Sequence, residues 1–232
     1  VNPAAAASPL LIATFNPGKA RELAALVEAA GYATRTLAGA GIREPYEETG
    51  ATYEENGAGK ARHYARLSGL VTLADDSGIE VDALQGEPGV RSARYGGPGL
   101  DDAGRTRRLL EALAGVPDER RTARYVAVAV VARPDGGSKS FRGVCEGRIA
   151  TAPRGAGGFG YDPIFFYPPF GATFAEVEAG RKHAVSHRGL AFRALAAFMA
   201  GDEGRRFLAA AGGAAPGGGA APGGGAAPGS AP

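Results

Sequence analysis

Two acids stand side by side in LADDSGI, where Asp75 and Asp76 follow an apolar run and precede Ser77 and Gly78. Read as the end of a strand, this places two carboxylates on a rigid support at the rim of a crevice. Neighbours in extended backbone point to opposite faces, so one acid faces a site while the other braces the loop. Carboxylates beside a polyphosphate need a cation, and magnesium favours oxygen ligands and phosphates. A remaining carboxylate could take a proton from an attacking water. The same letters also suit a plain polar turn, with Asp capping and Ser bonding its own backbone.

Four further stretches carry candidate chemistry. ATFNPGK runs strand, tight loop, helix, the order of an anion cradle. There Thr14 and Asn16 offer hydrogen bonds to phosphate oxygens, Pro17 and Gly18 shape the turn, and Lys19 adds a point charge. An ordinary capped helix reads equally well. REPYEETG supplies Glu44, Glu47 and Glu48, one of which could complete a metal site, or the three could form a solvated loop. GGFGYDP brings Phe159, Gly160, Tyr161 and Asp162 together, and flat faces beside an acceptor suit a planar heterocycle. An aromatic core strand after a glycine turn is the alternative. EAGRKHAVSHRG places Lys182, His187 and Arg188 around a helix start, where positive charge opposes the dipole unless an anion or a polar base edge sits there. The histidines His63, His183 and His187 have no zinc-like spacing, and neither a P-loop nor a GxSxG elbow is present.

These residues need elements to hold them. PLLIAT reads as a first strand, followed by a helix capped by Asn16 and stopped at Gly31. Thr52 and Glu55 form a capping box for a second helix ending near Gly69, with Gly57 and Gly59 marking close packing or a ligand. LVTLA and IEVDAL read as strand segments flanking DDSG. A third helix starts at Asp101 or Asp102. Residues 122–150 read as a long antiparallel hairpin around Pro-Asp-Gly-Gly, with Cys145 as a small apolar residue inside it. A short strand lies in YDPIFFYPP. The last helix is capped by Ser186, with Leu190, Leu195 and Phe198 as core candidates. The pattern predicts an α/β protein whose hairpin excludes a simple doubly wound sheet.

The chain has 232 residues, 26 basic and 24 acidic, for a net charge of +2. That balance gives no argument for nucleic acid as a partner. One cysteine excludes an internal disulfide framework. No run reaches the ~20 apolar residues of a membrane span, and VNPAAAASP lacks the features of a signal peptide, so a cytoplasmic location is expected. Residues 1–8 read as a flexible N-terminus, 9–208 as one domain, and 209–232 as a disordered Ala/Gly/Pro tail with nothing large to bury.

Taken in series, LIATFNPGKARELAALV, ETGATYEENGAGKARHYARLSG, ADDSGIEVDAL, GEPGVRSARYGG, GGFGYDPIFF and SHRGLAFRAL resemble the inosine/xanthosine triphosphate pyrophosphatase family, also called Ham1-like, over about residues 10–200. The resemblance implies an elongated mixed β-sheet with flanking helices, forming two lobes around a central cleft. It implies hydrolysis of ITP, dITP and XTP to the monophosphate and pyrophosphate, with Mg2+ as cofactor and a homodimer as the assembly. By the family pattern, Thr14, Phe15, Asn16, Pro17, Gly18 and Lys19 form the phosphate loop, with Lys60 close by. Asp76 is the general base or a metal ligand, Asp75 its paired acid, and Glu47 the second metal ligand, with Glu48 beside it as the competing alignment. Ser77 contacts substrate. Phe159, Gly160, Tyr161, Asp162, Lys182, His187 and Arg188 line the base pocket, and Arg94 is expected near the cleft. Phe15 departs from the pattern, which commonly has a small residue there. A pyrimidine triphosphate pyrophosphatase and a non-catalytic nucleotide-binding module are the competing readings.

Overall fold

In the computed structural model, which describes residues 8–210, seven strands form one mixed sheet. In chain order the elements are β1 (Leu10–Ile12), α1 (Pro17–Ala29), β2 (Thr34–Thr36), α2 (Tyr53–Ser68), β3 (Thr72–Val81), α3 (Asp102–Ala112), β4 (Thr122–Ala132), β5 (Ser138–Ile149), β6 (Phe165–Tyr167), β7 (Ala172–Thr173), α4 (Ala179–Val185), α5 (His187–Ala200) and α6 (Asp202–Ala209). The sheet order is β2-β1-β3-β4-β5-β6-β7. The β1 pairings are parallel, and the pairs from β3 to β7 are antiparallel. The expected hairpin is β4–β5, paired from Thr122↔Arg148 to Ala132↔Ser138. Cys145 is buried within it.

The local signals acted as expected. Asn16 caps α1 through Gly18 and Lys19 N–H, with Pro17 in the first turn. Thr52 and Glu55 form the capping box of α2, which stops at a left-handed Gly69. Gly57 packs on Val130 and Gly59 on Tyr46. Two readings need correction. β3 is one continuous strand through Asp75-Asp76-Ser77, because full antiparallel pairing with β4 holds it extended from Thr72 to Val81. The two acids therefore sit in mid-strand, not at its end. Leu190 is 40% exposed, and α5 instead buries Ala191, Phe192, Leu195 and Met199. Lys182 lies on a separate short helix, α4. In addition, α6 extends to Ala209. Residues 1–7 and 211–232, which hold most of the expected terminal segments, lie outside the described residues.

Alternation on β3 sorts the core. Ala74 and the even-numbered residues of β4 pack beneath α2 with Tyr53, Ala61 and Tyr64. Leu73 and the odd-numbered residues Ala127, Ala129 and Val131 pack beneath α1 and α5. Farther along that second face, Ile79, Val81 and Tyr125 join α3 and the aromatic segment around Phe165 and Phe174. Two lobes thus share one face of the sheet, and a gap between them lies over Ser77, Ile79 and Tyr125. β1 pairs with β3 only at Thr72 and Leu73, so the β3 edge beyond them faces the Thr14–Lys19 loop. No helix among the described residues is long and apolar enough to cross a membrane.

Candidate active site

The gap is a pocket of about 140 Å³. Asn16, Lys19, Ser77, Tyr125, His187 and Arg188 line one side, and Phe159–Asp162 with Asp102 and Arg105 line the other. Gly78 lets the 89–94 segment and Tyr53 pack closely against β3 beside the pocket. A Cβ there would collide with the Gly89 carbonyl oxygen, Ser92 Oγ and the Tyr53 hydroxyl.

A chain of charges runs along the α1/α5 side. Lys19 Nζ lies 3.1 Å from Asp75 Oδ2 and 3.2 Å from Ser77 Oγ. Arg188 donates to the same Asp75 oxygen at 3.2 Å and to Ser77 Oγ at 2.9 Å, and its other arm approaches Glu22 at 3.6 Å. Asp75 is fully buried, and burial alone would raise its pKa. The cations Lys19, Arg188 and Lys60 outweigh that and hold it well below the usual carboxylate range. Burial lowers the Lys19 pKa, with Asp75 opposing. Asp75 Oδ1 has no protein hydrogen-bond partner among the described residues.

Asp76 points to the other face of the sheet. It accepts from Asn56 Nδ2 at 3.0 Å and from Ser77 N–H at 2.8 Å. Burial, then repulsion from Glu48, pushes its pKa up to about 6. Glu48 in turn pairs with Lys60 at 2.5 Å. Burial would lower the Lys60 pKa, but Asp75 and Glu48 raise it. Glu48, not Glu47, is therefore the glutamate that pairs with Lys60 and acts on Asp76, while Glu47 is exposed. The loop is set by Tyr64, whose hydroxyl donates to the Glu44 carbonyl and accepts Tyr46 N–H, both at 2.8 Å.

The aromatic side is held by Asp162. This buried carboxylate accepts from Lys182 Nζ at 2.6 Å, Phe159 N–H at 2.9 Å and Tyr125 Oη at 3.4 Å. The Phe159 ring lies over Arg188 (4.9 Å) and Lys182 (5.0 Å), two cation–π contacts. Tyr161 Oη donates to the Ser92 carbonyl at 2.8 Å. His187 stacks on Tyr125 with centroids 4.4 Å apart. Burial, then Arg188 and Lys182, keep its pKa well below the ordinary value, so the imidazole is neutral. Neither ring nitrogen has a hydrogen-bond partner among the described residues, and the ring lines the pocket.

The structure gathers most of the sequence-predicted residues around β3, on both faces of the strand. Lys19, Ser77, Phe159–Asp162, His187 and Arg188 meet at the pocket, and Asp75 lies directly behind it. Asn16 spends its side-chain oxygen on two N–H groups of α1, which are then not free for an anion. Thr14 Oγ1 accepts Asn16 N–H at 3.2 Å. Phe15 is 49% exposed and meets Tyr64 edge-on. Arg94 reaches the Glu48 carbonyl at 3.3 Å. Lys182 is sealed beneath Phe159 rather than presented to the pocket. Sequence reasoning missed Asn56, Ser92, Tyr125, Asp102 and Arg105. Asn56 carried a signal: the Thr52 capping box fixes the phase of α2, which puts Asn56, Gly57 and Lys60 on the stripe shared by Tyr53 and Tyr64. Tyr125 and Ser92 carried none, because each is recruited by pairing across long sequence separations.

A cation-lined pocket with an aromatic wall, backed by a carboxylate on each face of one strand, belongs to the class of α/β proteins that handle phosphorylated heterocycles. The chain belongs to the Ham1 family, whose model matches residues 10–198. It is 52% identical over 186 residues to a dITP/XTP pyrophosphatase of Thermus thermophilus, covering 80% of this chain and 89% of that one. A dITP/XTP pyrophosphatase of Syntrophobacter fumaroxidans is 50% identical over 182 residues, 78% of each chain. The fold matches a HAM1 protein from Coxiella burnetii with a TM-score of 0.76 and 38% identity, over 82% of this chain and 98% of that one.

Proposed function

We propose that this chain is a dITP/XTP pyrophosphatase, hydrolysing non-standard purine nucleoside triphosphates (ITP, dITP, XTP) to the monophosphate and pyrophosphate. The observation that carries the reading is the split arrangement on β3 in a Ham1-family fold. Asp75 anchors Lys19 and Arg188 on the pocket side, and Asp76, with a pKa near 6, is ionised but still basic at neutral pH on the other. Lys19 and Lys60 bind phosphate charge. Asp76 orients water and accepts its proton. The base enters beside Phe159, with His187 and Arg188 at its polar edge. Donors there favour a 6-oxo group over an adenine amine, which would leave them unpaired at a cost of roughly 1–3 kcal/mol.

Magnesium is the proposed cofactor. No group of three or more metal-ligating side chains occurs among the described residues. Glu48, held at Lys60 by an ion pair, is near enough to Asp76 to help push its pKa up. The two carboxylates are an oxygen donor pair that a divalent ion would relieve, and magnesium is commonly held by one or two carboxylates plus substrate phosphates. Asp76 and Glu48 would hold it, and it would neutralise charge on the phosphates. A homodimer is the proposed assembly.

The test is pyrophosphate release with magnesium from ITP, XTP, dUTP, GTP and ATP at equal concentrations. A large excess of kcat/KM for ITP and XTP is expected. Preference for dUTP would keep the phosphate assignments and overturn the base pocket. Folded protein that releases no pyrophosphate from any of them would leave a binding module.

A further inference from the structure

The wall made by Phe159 and Gly160 has open space on both sides. In front is the pocket. Behind is a groove of about 610 Å³, lined by Ala103, Thr106, Leu110, Pro153 and Pro163. The Phe159 ring is held by stacking on Arg188 and Lys182, but the backbone between the two spaces needs further ties. Hydrogen bonds supply them from two directions. Phe159 N–H is tied to Asp162, and Asp162 to Lys182. Gly160 is tied to α3: its N–H donates to Asp102 Oδ2 at 2.7 Å, and its carbonyl accepts from Thr106 Oγ1 at 3.3 Å. Gly160 has φ +62°, and a Cβ built there meets nothing within 4 Å, so the wall is open on the side where a side chain would stand.

Asp102 is not needed to cap its own helix. Asp101 does that, accepting Gly104 N–H at 2.7 Å. The second Asp102 oxygen pairs with Arg105 Nη2 at 2.6 Å, and Arg105 also donates to the Leu100 carbonyl. The carboxylate is thus held in place to reach across to the wall.

We propose that Asp102 is a positioning residue for the substrate base, holding the Phe159–Gly160 wall at the spacing that grips a purine, with Arg105 fixing its carboxylate and Thr106 as a weaker second tether. The role in purine binding rests on the function proposed above; the tether does not. Asp102 acts through Gly160 and touches no reacting group. Its loss loosens the grip on the base while leaving the carboxylates on β3 undisturbed.

The chain contains no tryptophan, so Phe159→Trp places a single emission reporter on the wall, readable without substrate. Adding Asp102→Ala is expected to red-shift the emission and increase its quenching by acrylamide. Adding Asp101→Ala, which weakens the α3 cap but keeps the tether, is expected to do neither. Emission unchanged by Asp102→Ala, or shifted equally by Asp101→Ala, would overturn the tether. In the otherwise native chain, Asp102→Ala should raise KM for ITP about tenfold with kcat within about twofold, the loss of one charge-assisted bond at a half-exposed site. Asp102→Asn should fall between, since the amide keeps an acceptor for Gly160 but loses the charge that holds Arg105. A drop in kcat at unchanged KM would overturn the positioning role. If the native chain does not hydrolyse ITP, the function reading fails, and the emission result still decides the tether.

Discussion

Asp75 and Asp76 are adjacent, both buried, and chemically the same, yet their surroundings drive their proton affinities in opposite directions. The Asp75 side of β3 is packed with cations, so Asp75 stays ionised across the working pH range and serves as a counter-ion. The Asp76 side gives it two neutral donors and a nearby carboxylate, so its charge is poorly compensated. One strand, by alternating, thereby separates a structural acid from a reactive one. The difference predicts that removing the first damages the fold and removing the second damages turnover.

The largest effect is expected at Asp76. Asp76→Asn should lower turnover of ITP by about 10²–10⁴-fold, the usual weight of a positioned general base. Stability should move the other way. From the ordinary carboxylate range up to pH about 6, folded protein keeps a proton that the unfolded chain has released. Stability therefore falls as pH rises through that window. Above it the native chain carries a poorly compensated buried charge that the amide removes. At pH 8 the variant should be more stable by about 1–2 kcal/mol, roughly 2–8 °C in Tm for a domain of this size. Pyrophosphate release and thermal melts at pH 5 and pH 8 check both halves. Unchanged turnover would remove Asp76 from its role, and a lower Tm at pH 8 would show that its charge is compensated after all.

Asp75→Ala tests the other half. It leaves Lys19 and Arg188 in the protein interior without their shared partner, and breaking a buried pair by removing one member costs about 3–5 kcal/mol. Glu22 still faces Arg188, so the lower end is expected. Urea unfolding at neutral pH should show the loss as a lower midpoint at unchanged slope. A loss under 1 kcal/mol would mean that the cations relax into solvent and that Asp75 is not the hub of the network.

How far this contrast could be read from sequence depends on the range of the interactions. Caps and turns are local, so the Asn16 and Thr52 helix starts, the β4–β5 turn and the Ser186 cap were all legible. The two-face logic of Asp75 and Asp76 was legible too, since strand alternation needs only the letters. The continuity of β3 was not, because Ser77-Gly78 has turn chemistry and only pairing with β4 overrides it. The exposure of Leu190 was hidden for a related reason. Apolar residues occupy most of the circumference of α5, so its buried face is chosen by where β4 and β5 lie. The Gly160–Asp102 tether joins residues 58 apart, and nothing in either stretch points to the other. The family resemblance named Glu47 as the metal ligand, where two adjacent glutamates differ only in which way the loop turns them, and that is set by Tyr64 and Lys60.

The two glutamates allow the smallest and sharpest test. If the high pKa of Asp76 comes partly from Glu48, removing that charge should lower it, and the more so because Lys60 loses its partner and is freed to act on Asp76 alone. Glu48→Gln keeps the shape of the side chain and removes only its charge. In metal-free protein, a carboxyl-carbon NMR titration should place the Asp76 midpoint near pH 6 in the native chain and lower in Glu48→Gln. Glu47→Gln should leave it where it was, because Glu47 is exposed, where charge is screened. The same order should appear in magnesium affinity, weakened by Glu48→Gln and unchanged by Glu47→Gln. A midpoint that moves with Glu47 instead would put the other glutamate in the site. A midpoint that moves with neither would leave burial as the sole cause of the asymmetry between the two acids, and the Asp76–Glu48 pair would lose its claim as a cation site.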